Sequence, residues 1–271
     1  MPAPAIRHTL RDRLRAGQVA ASMTVRVSRG IEVARLAAAA GFDSIYIDLE
    51  HNTLSVDTAC QICQAALDAG VTPLVRVPAG SPGLVGRMLD GGALGVIAPH
   101  VQSAADAEAV VRLCRFPPRG ERGAAGAMPQ FGFRPVPPAE ANAALDAATF
   151  VAVMIETVAA LEAVEAIAAV DGVELMMIGT NDLCAELGIT GQYDHPAVAA
   201  AFARAIAAAR AAGKFVGVGG LAGRPDLVAR FVAAGARYVS TGTDLGFLAE
   251  AAAAKARFVR GLATTAGAGD K

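Results

Sequence analysis

Residues 44–77, SIYIDLEHNTLSVDTACQICQAALDAGVTPLVRV, decide the fold. The run Ser44–Leu49 is rich in β-branched residues and nearly continuously apolar, the pattern of a parallel strand covered on both faces. A stretch of helical period, Val56–Ala69, follows it. Gly70 then stops the helix, since glycine enters the left-handed cap conformation without steric cost. A second apolar run, Thr72–Val77, repeats the first. Two strands joined through a helix rather than a tight turn run parallel, so this stretch is one βαβ unit.

The unit recurs on either side. Further strands are predicted at Ala20–Val27, Gly95–Pro99, Phe150–Ile155, Glu174–Ile178, Phe215–Val218 and Arg237–Ser240. Helices are predicted at Ile31–Ala40, Pro82–Asp90, Ala104–Cys114, Ala159–Ala169, Pro196–Ala212, Asp226–Ala234 and Leu245–Val259. Eight such units in 271 residues give the count of a closed (β/α)8 TIM barrel in the α/β class, one domain over residues 1–271. An open, doubly wound sheet is the competing fold. It would carry GxGxxG after the first strand, where this chain reads VRVSRG.

Hydrophobic residues make up 54% of the chain and charged residues 18%, with a formal net charge of −1. That balance belongs to a compact globular chain. It supplies neither the basic footprint that binds nucleic acid nor a cationic face for a membrane. Charges interrupt the apolar runs well short of the ~18 residues a spanning helix needs. The opening MPAPAIRHTLRDRLRAG is charged throughout, so we expect no signal peptide and a cytoplasmic location. Cys60 and Cys63 form a CxxC, but within a helical run and with no second pair at zinc-site spacing. Packing on a helix face is the better reading.

One segment breaks the rhythm. Residues 116–138, FPPRGERGAAGAMPQFGFRPVPP, follow the fourth strand–helix unit as a long Pro- and Gly-rich loop. A loop after a helix lies at the end of a barrel away from the catalytic face. To touch chemistry it would have to climb over the barrel or reach a neighbouring subunit.

Active sites of such barrels lie at the C-terminal ends of the strands. There the chain places Asp48, Glu50 and His51 after the second strand, Arg76 after the third and Glu156 after the fifth. The sixth strand runs into Gly179-Thr180-Asn181-Asp182. Glu156 and Asp182, from neighbouring strands, offer the hard oxygen ligands that suit Mg2+ or Mn2+ and leave positions open for substrate. A chelating 2-oxo acid could take two of those positions, and the metal would stabilise the enolate left by C–C cleavage. Arg76 could hold the keto oxygen as it gains charge, or equally form a structural ion pair with Glu50 or Glu156. His51 is the natural general base. Backbone N–H groups of the GTNDL turn could cradle a carboxylate or phosphate. The three lysines are Lys214, at the start of the seventh strand, Lys255, in the last helix, and Lys271, the last residue. None stands where a Schiff-base aldolase needs one.

The segments AGFDSIYIDLEH, PLVRVP, MLDGGALGVIAPHVQSAADA, CRFPPRGERG, VMIET and IGTNDLCAELG together resemble the HpcH/HpaI family over nearly the whole chain. These are metal-dependent class II pyruvate aldolases of the 4-hydroxy-2-oxoheptanedioate aldolase group. The resemblance implies a phosphoenolpyruvate/pyruvate-type barrel that cleaves 4-hydroxy-2-oxo acids into a 2-oxo acid and an aldehyde, with Mg2+, Mn2+ or Co2+. It implies that Glu156 and Asp182 ligate the metal and that Arg76 binds the pyruvyl oxygen. It further implies that His51 works with Asp90 as a base-orienting pair, and that Asp48 and Glu50 shape the site. Hexamers that exchange the last helix, Leu245–Val259, between barrels are implied as well.

The chain departs from the family pattern at three points. Met154 stands where a glutamine is common, two residues before the metal-binding glutamate. ASMTVRV replaces a GLWLG-like first strand, adding Arg26 at the mouth, and His100 replaces an apolar residue. These changes point toward a more acidic substrate. Two other readings compete: a citrate-synthase-like enzyme that forms C–C bonds from oxaloacetate, and a sugar-phosphate barrel using the turns VGVGGLAG and STGTD. In the second, the glycines have a simpler explanation in tight turns.

Overall fold

The computed structural model describes residues 5–265. The strands are β1 (Ala20–Val25), β2 (Ser44–Asp48), β3 (Thr72–Arg76), β4 (Gly95–Ala98), β5 (Phe150–Ile155), β6 (Leu175–Gly179), β7 (Phe215–Gly219) and β8 (Tyr238–Thr243). They pair in parallel in chain order and close into a barrel, with Ala20 of β1 opposite Tyr238 of β8. The predicted strands all form, their ends shifted by at most three residues.

The helices are α1 (Thr9–Arg15), α2 (Glu32–Ala39), α3 (Val56–Ala69), α4 (Gly83–Asp90), α5 (Ala104–Leu113) and α6 (Pro138–Ala148). They continue with α7 (Val158–Glu162), α8 (Val164–Ala168), α9 (Thr180–Glu186), α10 (Pro196–Ala211), α11 (Pro225–Ala234) and α12 (Asp244–Thr265). Gly70 ends α3 at φ +75°, the left-handed cap read from the sequence. The helix predicted over Ala159–Ala169 is instead two short ones broken at Ala163. Three helices lie outside the predicted set: α1, α6 and α9, the last read from the sequence only as a turn.

Alternation along the strands sorts their side chains. One set, including Ile45, Val75, Val153 and Ile178, packs outward against the helices. The other, including Tyr46, Leu74, Phe150, Met154, Met177 and Tyr238, fills the barrel. Leu10 and Leu14 of α1 join this inner set and plug the N-terminal end. Arg11 fastens the plug through a fork on Glu174, at 2.8 and 2.7 Å, and a bond to the Ala147 carbonyl. Cys63 and Cys60 pack on α3 toward the core, and all four cysteines are free. Among the described residues no helix is long and apolar enough to cross a membrane.

The loop of residues 116–138 stays at the N-terminal end of the barrel. Phe116, Met128 and Phe131 form a small core with Leu145 of α6. Gln130 donates to the carbonyls of Leu89 and Ala93, between α4 and β4. Within one chain the loop is therefore remote from the C-terminal face.

Candidate active site

A cavity of about 300 Å3 opens at the C-terminal ends of the strands. Tyr46, Met154 and Met177 line it from within the barrel, and Arg76, His51, Gly179, Thr180, Asn181 and Asp182 line its sides. Arg26, Thr24, Ser240 and Thr243 complete the wall on the β1 and β8 side.

Arg76, the last residue of β3, lies beside Asp48, the last residue of β2, because the parallel register pairs these two positions. Its Nε donates to Asp48 Oδ1 at 2.9 Å and its Nη2 to Oδ2 at 2.7 Å. Nη1 stands 3.2 Å from Glu50 Oε2, and the guanidinium lies 5.4 Å from the centre of the Tyr46 ring. Burial would raise the Asp48 carboxyl pKa. The Arg76 hydrogen bonds and charge, with the N–H groups of Glu50 and His51, outweigh burial and hold it below the ordinary carboxylate range. Sequence reading left Arg76 open between a catalytic role and an ion pair with Glu50 or Glu156. The structure gives it Asp48 and Glu50 as partners, while the guanidinium still lines the cavity.

Glu156 follows β5 and is 2% exposed. Its Oε1 accepts the backbone N–H of His100 at 2.7 Å, and His100 Nδ1 stands 3.2 Å from the same oxygen. Burial pushes its pKa up; the His100 N–H and ring oppose this, and the negative charges of Asp182 and Glu50 add to it. Asp182, in the first turn of α9, lines the cavity and lies near enough for its charge to act on Glu156. Gly179 makes that approach possible, since a Cβ there would fall 2.8 Å from Glu156 Oε2 and 2.9 Å from its Cβ. Beside them the Thr180 hydroxyl is buried without a hydrogen-bond partner.

Two neighbouring carboxylates, with the charge of Asp182 raising the pKa of Glu156, form a donor set that fits a hard divalent cation. Among the described residues no group of three or more His, Cys, Asp or Glu could hold a metal. Two protein ligands with open positions is the arrangement a chelating substrate would complete.

His51 lies at the cavity mouth, its Nε2 3.8 Å from Glu50 Oε2. Asp90 does not accompany it. Asp90 ends α4 and so lies where the chain enters the N-terminal end of β4, at the opposite end of the barrel from His51. Its carboxylate accepts from Arg122 Nη2 at 2.9 Å. Within one chain, parallel topology separates His51 from Asp90 by the length of the barrel.

Two residues organise the site in ways the sequence reading did not anticipate. His100 adopts a left-handed backbone, φ 56°, which is uncommon outside glycine. This conformation aims its N–H at Glu156, while Nε2 stands 3.2 Å from Glu50 Oε1. Asp244, which begins α12, accepts the backbone N–H groups of Arg26, Val27 and Ser28, at 2.9, 3.1 and 2.8 Å. The STGTD motif was its only signal, and it pointed to a phosphate turn. A carboxylate there, already committed to these three N–H groups and to that of Leu245, leaves little to attract a phosphate.

Relatives share this architecture. The chain is 42% identical over 214 residues to a 4-hydroxy-4-methyl-2-oxoglutarate aldolase of Chaetomium globosum, covering 78% of this chain and 80% of that one. The structure of an HpcH/HpaI aldolase from Desulfitobacterium hafniense superposes with a TM-score of 0.84 at 31% identity, covering 93% of this chain and 97% of that one. The structure of the citrate synthase SbnG superposes with a TM-score of 0.81 at 27% identity, covering 97% and 99%. Residues 9–251 match the model of one family, and the chain belongs to it: HpcH/HpaI aldolase/citrate lyase.

Proposed function

We propose that this enzyme is a carbon–carbon lyase that cleaves 4-hydroxy-2-oxo acids to a pyruvate-type 2-oxo acid and a carbonyl compound, and catalyses the reverse addition. The arrangement that carries the reading is a guanidinium, Arg76, fixed by two acids in the wall of a cavity that Asp182 also lines, with Glu156 buried against Gly179 of the same wall. Aldolase names among the relatives at 40% identity and above support it.

Glu156 and Asp182 would hold a divalent ion, Mg2+, Mn2+ or Co2+, which when bound supplies a Lewis acid for the 2-oxo group. Arg76 donates hydrogen bonds to the keto oxygen as the C3–C4 electron pair moves toward C2 and negative charge develops there. Its two carboxylate partners keep its guanidinium oriented, so little reorganisation is needed as the charge appears. His51 accepts the 4-hydroxyl proton, C4 leaves as a carbonyl, and a proton delivered to C3 of the enolate completes the 2-oxo acid. The backbone of Gly179, Thr180 and Asn181 offers N–H groups to the substrate carboxylate at the start of α9. Lys214 lies at the N-terminal end of β7 and Lys255 on exposed α12, while Lys271 lies outside the described residues. The described lysines thus stand away from the cavity, which weighs against a Schiff base.

The assembly is part of the proposal. Helix α12 exposes Leu248, Phe258 and Val259, at 65, 65 and 62%. An apolar face of that kind supports exchange of the last helix between barrels in a hexamer. A His51–Asp90 pair would then form between chains. Composition supports a cytoplasmic setting.

The test is removal of metal with a chelator, add-back of Mg2+, Mn2+ or Co2+, and product analysis. Pyruvate release from a 4-hydroxy-2-oxo acid, lost and restored with the metal, is the expected result. Citrate formation from oxaloacetate and an acyl-CoA, without pyruvate release, would replace the aldolase reading with the synthase one.

A further inference from the structure

The cavity holds a second arginine that the reaction itself does not require. Arg26 follows β1, one strand from Asp48 and two from Arg76, so three charged groups stand side by side on the rim. Arg26 Nε donates to Asp48 Oδ2 at 2.9 Å, the oxygen that also accepts Arg76 Nη2. One buried carboxylate thus binds two guanidinium groups. Glu50 gives Arg76 a second counter-charge; among the described residues no acceptor meets the terminal nitrogens of Arg26.

The backbone beneath Arg26 is fixed too. Asp244 accepts its N–H and the two that follow. A charged side chain held at Nε and at its own main chain, with its outer donors open to a cavity, is pre-organised for an incoming acceptor. Thr24, Ser240 and Thr243, which are small and hydroxylic, line the same cavity. Thr24 and Ser240 hydroxyls bond each other at 3.0 Å and set that wall in place.

Resting on the aldolase reading, we propose that Arg26 binds a carboxylate on the leaving carbonyl half of the substrate, so that the enzyme selects 4-hydroxy-2-oxo acids carrying acid groups at both ends. The carbonyl product is then itself an oxo acid, and the reverse reaction joins two oxo acids. Arg76 serves the oxygen that gains charge; Arg26 serves one that is charged throughout. Binding by Arg26 is therefore expressed in affinity for the acceptor half.

The test compares glyoxylate with acetaldehyde as acceptors for pyruvate, using the metal-loaded enzyme and its Arg26→Gln and Arg26→Lys variants. The two acceptors differ in a carboxylate against a methyl group. Charge-assisted hydrogen bonds are strong enough that Arg26→Gln should lower the glyoxylate-to-acetaldehyde ratio of kcat/KM by roughly 10- to 100-fold, mainly through KM for glyoxylate. Arg26→Lys should recover part of the ratio. A second reading, free of turnover, is the ratio of dissociation constants for 2-oxoglutarate and 2-oxopentanoate, which lack the 4-hydroxyl and cannot be cleaved; it should move the same way. Adducts from both acceptors with ratios unmoved by Arg26→Gln would overturn this assignment alone. Failure of the wild-type enzyme to join pyruvate to either acceptor would overturn the aldolase reading itself.

Discussion

Arg76 and Asp48 meet through two hydrogen bonds, Nε to Oδ1 at 2.9 Å and Nη2 to Oδ2 at 2.7 Å, at the register pair that ends β3 and β2. The fork fixes the plane of the guanidinium, which a single contact would not. Arg76→Lys keeps the charge and loses the plane. We expect kcat for cleavage to fall at least ~100-fold, the scale of losing one well-placed oxyanion donor. Mn2+ affinity should change by less than about 3-fold, because the carboxylates proposed as ligands follow other strands. Steady-state kinetics and a Mn2+ titration check both; full cleavage activity in this variant would refute the role of Arg76.

Gly179 is the point at which the backbone of β6 lets Glu156 through. Adding one methyl group there puts a Cβ 2.8 Å from Glu156 Oε2 and 3.1 Å from Met154 Cε. Since Glu156 is held by the His100 N–H on its other oxygen, it cannot simply rotate away. Gly179→Ala should weaken metal binding by roughly 10-fold or more while costing about 1–3 kcal/mol of stability, the usual range for overpacking. Metal titration and urea unfolding on the same preparation separate the two effects. Unaltered metal affinity would show that Glu156 is not a ligand.

The barrel was legible because buried parallel strands are apolar on both faces, and glycines such as Gly70 mark the helix ends. Strand-end position also singled out Arg76, Asp182 and His51, which line the cavity, since polar residues directly after apolar runs are conspicuous. Other features gave no such signal. Helix α1 is a polar, charged segment whose Leu10 and Leu14 matter only once there is a barrel end to plug. Asp48 appeared as one acid among several in IDLEH; its role depends on a register pairing 28 residues away in the chain. His100 acts through a backbone N–H made available by a left-handed turn, which no side-chain pattern encodes.

His8 precedes α1 as its cap and is 5% exposed. Burial, with the nearby charge of Arg11, lowers its pKa from 6.5 to about 3. Its Nδ1 accepts the Arg11 N–H at 3.2 Å, a bond that only the unprotonated nitrogen can make. The unfolded chain takes up a proton near pH 6.5, and the folded one does so only near 3. His8 therefore favours the folded state fully above 6.5, and this advantage fades as the pH falls toward 3. The slope from this group approaches about 1.4 kcal/mol per pH unit. His8→Asn retains a capping acceptor without the titration. Urea midpoints at pH 7 and pH 5 should converge in the variant relative to the wild type, and an unchanged difference would rule out His8 as the source.

Asp90 and His51 stand at opposite ends of one barrel, so if they act together the pair must come from two chains. Asp90 also has work within its own chain, because Arg122 is 3% exposed and Asp90 accepts its Nη2. Asp90→Ala would leave that guanidinium without its carboxylate, at a cost of about 1–3 kcal/mol. Loss of activity in Asp90→Ala alone thus does not separate catalysis from stability. Subunit mixing does. His51→Ala and Asp90→Ala assemblies, each inactive alone, should recover part of the wild-type activity when dissociated and reassociated together, because some junctions then carry both native residues. A structural defect at Arg122 cannot be repaired by a neighbour in this way, so absence of recovery would confine Asp90 to anchoring the loop of residues 116–138 and leave His51 to act with Glu50.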